Sequence, residues 1–192
     1  MNNDLPLKIE NCTQVVKRAI LKVWTKDIKS DYNKHLLLKE DTLKNAFYYH
    51  LRKRLGDTFL KKNNLAIFTE FFIVGERIDL VVVEIDPLKA KTNYLGECVM
   101  NILAVVEMKY KGANVQDGIF QKDVDKIMNY LMNNEMETLF YLAFIREVWF
   151  QEDEIDYWLN PAQQIVAKDR VTELLAYYSI NQEKMLWLAI EH

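Results

Sequence analysis

Glycine and proline are scarce, with five and three residues in a chain of 192. That scarcity leaves little room for long linkers, low-complexity tracts or a disordered tail. Cysteine is scarcer still. Cys12 and Cys98 are far apart and form no CxxC pair, and His35, His50 and His192 lack the spacing of zinc ligands, so a structural zinc is not expected. Two isolated cysteines read as reduced side chains packed as small hydrophobes. Long apolar runs are also missing. The longest, residues 139–145, falls far short of the roughly 18 residues that a bilayer span requires, and no membrane segment is expected. The opening MNNDLPLKIENC has neither the basic head nor the apolar centre of a secretory signal, so the default expectation is a cytoplasmic protein. There is no excess of positive charge either. A net charge of −3 gives no global attraction to phosphate polymers and argues against a high-affinity nonspecific nucleic-acid coat, although a local footprint remains open.

What is present is core material. Half of the residues are apolar and 12% are aromatic, enough to fold one domain over residues 1–192 without metal or disulfide. Apolar residues at helical spacing, Val15, Val16, Ala19, Ile20, Val23 and Trp24, predict a helix over residues 12–28. A second helix is expected over residues 34–55, closed by Gly56. LAIFTEFFIV and RIDLVVVE, split by Gly75-Glu76, read as a β-hairpin, and ILAVVEMKY reads as a strand buried on both faces. Phe120, Val124, Ile127 and Leu131 stripe a helix over residues 115–132, TLFYLAFI forms a further strand, and beyond Asn160-Pro161 a helix to about Tyr178 and the strand MLWLAI are expected. The predicted class is α/β, a mixed sheet flanked by helices.

Within that pattern a few charges stand where apolar residues dominate. Residues two apart on a strand share a face, so Glu107 and Lys109 point to the same side near the end of an apolar strand. Charges placed there suggest a polar site, against the alternative of a strand emerging into water. Asp79 is a second acid embedded in a neighbouring strand. Two close carboxylates repel unless a cation stands between them, and oxygen donors of this kind suit Mg²⁺ or Mn²⁺. Glu40 falls on the helical face of Leu36, Leu43, Phe47 and Leu51, where it either joins the site or, like Asp41, complements the helix dipole. Glu70, on one face with Phe68 and Phe72, either assists the metal site or pairs with a lysine or arginine across the strands.

These residues resemble the PD-(D/E)xK nuclease superfamily, with its restriction-endonuclease-like fold, over residues 34–146. Residues 161–190 would then form a helix and strand extension. The order helix, strand, strand, strand, helix, strand matches, with Glu40 as the helix acid, Asp79 in ERIDLVV as the first strand acid, and Glu107 and Lys109 in VVEMKYKG as the Glu-x-Lys pair. Ile78 stands where the family name has proline. The resemblance implies hydrolysis of DNA phosphodiesters with Mg²⁺, or Mn²⁺ as substitute, held by Asp79, Glu107 and the main-chain carbonyl of Met108, with Glu40 assisting. It implies that Lys109 positions water or stabilises transition-state charge, that Gln121 and Lys122 of the following helix touch phosphate, and that dimers are common among relatives. Gln121 and Lys122 also fit a solvated mixed-charge face shared with Asp123, Asp125 and Lys126. Arg52, Lys53 and Arg54, with Lys61 and Lys62, form either a phosphate-tracking patch or a basic helix end that complements the dipole. The Tyr48-Tyr49 pair could stack on bases or pack in the core. The alternative function is a non-catalytic scaffold of the same fold in a nucleic-acid-processing or defence system.

Overall fold

Six strands lie side by side in chain order in one mixed sheet. The computed structural model describes residues 6–73, 75–111, 118–133, 137–150 and 157–192. The strands are β1 (Leu65–Ile73), β2 (Glu76–Ile85), β3 (Val99–Lys111), β4 (Leu139–Phe150), β5 (Val171–Ser179) and β6 (Lys184–Glu191). β1, β2 and β3 form an antiparallel meander. β4 pairs with β3, and β5 with β4, in parallel, and β6 turns back antiparallel on β5. A parallel step needs a crossover, and the helices α5 (Gly118–Asn133) and α6 (Pro161–Ala167) lie in the two crossovers.

The amino-terminal half supplies α1 (Ile9–Lys22), a π-helical stretch Val23–Ile28, α2 (Lys29–Asn33), α3 (Glu40–Leu55) and α4 (Asp57–Lys62). Strand alternation sorts the core into two layers. Leu80, Val82, Ala104 and Val106 pack with Val16, Ile20, Trp24, Leu43, Phe47 and Leu51 on the α1–α4 side. Val81, Val83, Val105 and Phe140 pack with Phe120, Val124 and Ile127 on the α5–α6 side. The expectation of a doubly buried third strand is therefore met by β3. Both cysteines are free and buried. No helix among the described residues is long and apolar enough to cross a membrane.

Three element boundaries differ from the sequence reading. The helix expected to run to Tyr178 stops at Ala167, and Val171–Ser179 is β5, buried along almost its whole length. A short, continuously apolar run carries no periodicity that separates a buried strand from a buried helix. The helix expected from residue 34 begins at Glu40, because Lys39 is extended (φ −158°, ψ 176°) and Thr42 Oγ1 accepts the N–H groups of Leu38 and Lys39 at 2.9 and 3.0 Å. Leu36 consequently lies outside the helix and is 60% exposed, while Leu37 is buried in its place. The first helical segment begins at Ile9, ahead of the expected residue 12, and beyond the π-helical stretch ending at Ile28 it continues as α2 to Asn33. Residues 115–117 of the expected fifth helix lie outside the described residues.

Candidate functional site

The end of β3 is where the sheet's apolar pattern gives way to charge. In the antiparallel register Leu80 faces Val106, so Asp79 and Glu107 follow as neighbours on adjoining strands. Asp79 does not face open water. Its Oδ2 accepts the main-chain N–H of Met108 at 2.8 Å, tying β2 to β3 at this point. Glu107 is 2% exposed and Asp79 8%, a depth at which an unpaired carboxylate would not stay ionised.

Ammonium groups from both helical layers meet these acids. From α3, Lys44 lies 2.8 Å from Asp79 Oδ1 and also pairs with Glu70 Oε1. From α5, Lys126 Nζ lies 2.7 Å from Glu107 Oε1 and donates to the carbonyl of Arg77. Lys109 stands between the layers, 3.2 Å from Glu40 of α3 and 3.2 Å from Asp123 of α5, and its ammonium also donates to the carbonyl of Met108 at 3.3 Å. The structure thus brings Asp79, Glu107, Lys109, Met108 and Glu40 together, and adds Lys44, Asp123 and Lys126.

The electrostatics follow from burial and like charge. Burial, reinforced by the charges of Asp79 and Asp123, pushes the Glu107 carboxyl up to about 8 despite Lys126. Asp123 is also raised, chiefly by burial, with Lys109 pulling the other way. Burial works to lower the Lys109 ammonium, but Asp123, Glu40 and Asp79 outweigh it and the net direction is up, so Lys109 remains a cation. Lys44 follows the same pattern, burial being outweighed by Asp79 and Glu70.

Donor chemistry at the site fits a hard divalent cation. Glu107 Oε1 and Asp123 Oδ2 are buried without a hydrogen-bond partner; Lys126 and Lys109 come within ion-pair distance of them but off the hydrogen-bond direction. Each of the two oxygens already faces an ammonium, so Mg²⁺ or Mn²⁺ coordinated there would have to displace Lys126 or Lys109. As the side chains lie, no three Asp, Glu, His or Cys groups among the described residues stand close enough to hold one ion. Lys44 and Lys109 each bridge two carboxylates instead.

The proposed substrate contacts fall in two places. Gln121 bonds Asp125 through its amide at 3.1 Å, and Lys122 is exposed on an open cleft of about 440 Å³ that Asp123 and Lys126 also line. Arg52, Lys53 and Arg54 lie at the opposite end of α3 from Glu40, about 20 Å along the axis at 1.5 Å per residue. There Arg52 pairs with Asp57, Arg54 with Asp27, and Lys53 caps the ring of Tyr49. Tyr48 and Tyr49 line a separate cleft at that end, Tyr49 largely exposed. Glu70 meets its expectation of a cross-strand basic partner in Arg77 of β2 at 2.8 Å, and also pairs with Lys44 of α3.

Lys44 carries no sequence signal of its own, and Asp123 and Lys126, expected on a solvated face, turn inward instead, with Asp123 buried and the Lys126 side chain 16% exposed. A signal for Asp123 existed, since it is three residues from Phe120 and four from Ile127 and so borders the buried stripe of α5. Comparison with known proteins does not add to this picture: no family model, no curated protein and no solved structure matches the chain.

Proposed function

We propose that this chain is a Mg²⁺-dependent nuclease that hydrolyses DNA phosphodiesters, built on the restriction-endonuclease-like core of the PD-(D/E)xK superfamily. The observation that carries this reading is the convergence of Asp79, Glu107 and Lys109 at the ends of two adjoining strands, with Glu40 reaching the same lysine from α3. The order α3, β1, β2, β3, α5, β4, with β4 parallel to β3, supports it as well.

Asp79, Glu107 and the Met108 carbonyl would hold the cation, with Asp123, paired with Lys109, beside them. When bound, Mg²⁺ supplies Lewis acidity to the phosphate and to an attacking water. The chain's own residues do the rest. Lys109, held protonated by Glu40 and Asp123, acts as a fixed positive charge toward the phosphate oxygens and not as the base. Asp79 is kept in orientation by the Met108 N–H. Glu107 must give up its proton to bind a cation, so cation uptake near neutral pH releases protons and strengthens as pH rises toward about 8.

One observation favours the alternative of a non-catalytic scaffold: lysines already neutralise the acids, as they would in a purely structural ion-pair network. Thermal unfolding during a Mn²⁺ titration separates the two readings. A nuclease site raises the melting temperature of the wild-type protein with Mn²⁺ and loses that increment in Glu107→Ala. A melting temperature indifferent to Mn²⁺ in both proteins supports the scaffold.

A further inference from the structure

Lys44 belongs to no part of the motif, yet it is 9% exposed and touches the site directly. Its ammonium bridges Asp79, inside the site, and Glu70, outside it. The other oxygen of Glu70 takes Arg77, whose side chain is 65% exposed. An alternating chain of charge, Arg77, Glu70, Lys44, Asp79, therefore runs from solvent to the site. Glu70 adopts φ +56° within a strand, a region that non-glycine residues occupy only when their surroundings hold them there. The strand alternation slips at the same place: Phe68 and Phe71 face one core layer, as do Ile78 and Val81 on the partner strand. The backbone is thus bent where it offers Glu70 to Lys44.

We propose that Lys44 is a place-holding cation. It occupies, in the cation-free protein, the charge position on Asp79 that a divalent metal takes in the working one, and Glu70 is the second berth onto which it withdraws. Three features suit this role. A lysine carries a compact charge on a flexible stem and can leave one oxygen while keeping the other. The Met108 N–H holds Asp79 Oδ2 independently, so the carboxylate keeps its orientation when Lys44 moves. Glu70 is linked to Asp79 through Lys44, its other oxygen being paired with the exposed Arg77. The place-holder keeps the buried acids folded without metal and sets cation affinity below what the bare carboxylates would give.

This inference rests on the reading of Asp79 as a cation ligand. Isothermal titration of the full chain with MnCl₂, alongside metal-free thermal unfolding, tests it in Lys44→Met, Glu70→Gln, the double variant and Asp79→Asn. Lys44→Met is expected to melt lower without metal yet bind Mn²⁺ at least about tenfold more tightly, since a like charge beside the ion is gone. Glu70→Gln is expected to weaken Mn²⁺ binding, because Lys44 loses its second berth. In the Lys44→Met background the effect of Glu70→Gln should shrink to under about twofold. A merely structural lysine would lower the melting temperature without tightening Mn²⁺ binding, and that result overturns the proposal. So does a Glu70→Gln effect undiminished in the double variant. If Lys44→Met does not fold, Glu70→Gln decides alone, unchanged Mn²⁺ affinity being the contrary result. Asp79→Asn is expected to lose Mn²⁺ binding. If it binds like the wild type, or if the wild type binds no Mn²⁺, the reading of the site fails and takes this inference with it. If Asp79→Asn loses binding while Lys44→Met and Glu70→Gln match the wild type, the place-holder alone fails.

Discussion

Glu107 is stabilising as an acid and destabilising as a carboxylate. Its folded-state value is raised to about 8 from 4.5, so between those limits the folded chain holds a proton that the unfolded chain has lost. Its contribution to stability is full below 4.5 and is lost as pH rises to about 8, with a slope of up to about 1.4 kcal/mol per pH unit. Asp123, raised for the same first cause, adds to the decline. Glu107→Gln removes the titrating group while keeping its shape. Metal-free urea unfolding across this range should then show a flatter pH dependence and, at the alkaline end, a variant more stable than the wild type. An unchanged slope would mean that Glu107 is not the group responsible. At this scale Asp79, Glu107 and Lys109 were legible in the sequence because each interrupts an apolar strand. Lys44 and Lys126 were not, because a lysine on a helix ordinarily lies on a solvated face and only tertiary packing reveals that these two turn inward.

Among the elements, α3 matters most to the site, since its first residue is Glu40 and Lys44 lies one turn on. Its start is set by Thr42, whose hydroxyl accepts from Leu38 and Lys39 and donates to the Lys39 carbonyl at 2.7 Å. Thr42→Ala should cost about 0.5–2 kcal/mol in chemical denaturation and, by loosening Glu40, lower turnover more than substrate affinity. Intact turnover with the stability loss present would remove Glu40 from the site. β5 offers a second test. Glu173, wholly buried there, accepts the N–H groups of Trp158 and Leu159 at 2.9 and 3.3 Å and pairs with His192 at 2.7 Å. Glu173→Ala strands those donors and should destabilise by about 2–4 kcal/mol, read from the denaturation midpoint, with no change in cation binding. β5 was misread as helix because LLAYY is apolar without alternation: a strand buried on both faces hides the period that would identify it. The hairpin β1–β2 was legible for the opposite reason, β-branched runs punctuated by Gly75, which adopts φ +84°.

For the whole molecule, the α/β class with a mixed sheet flanked by helices could be anticipated from the succession of helix, three strands, helix and strand. The position of the basic cluster could not, since adjacency in sequence along α3 becomes separation along its axis. On the proposed nuclease reading, a net charge of −3 and the site's own acids would leave DNA little to bind until a cation is in place. Fluorescence anisotropy with a short DNA duplex should therefore stay flat in chelator and rise when Ca²⁺ or Mn²⁺ is added. Equal binding under both conditions would point instead to the Arg52–Arg54 end of α3 as a cation-independent contact. The most direct test of the proposed nuclease is cleavage of DNA by the purified chain with Mg²⁺ or Mn²⁺, beside Glu107→Ala and Lys109→Ala. The expected result is cation-dependent hydrolysis in the wild type and its loss in both variants, each still folded. Undiminished cleavage in both, or none in the wild type under either cation, would contradict the assignment of Asp79, Glu107 and Lys109 as a nuclease centre.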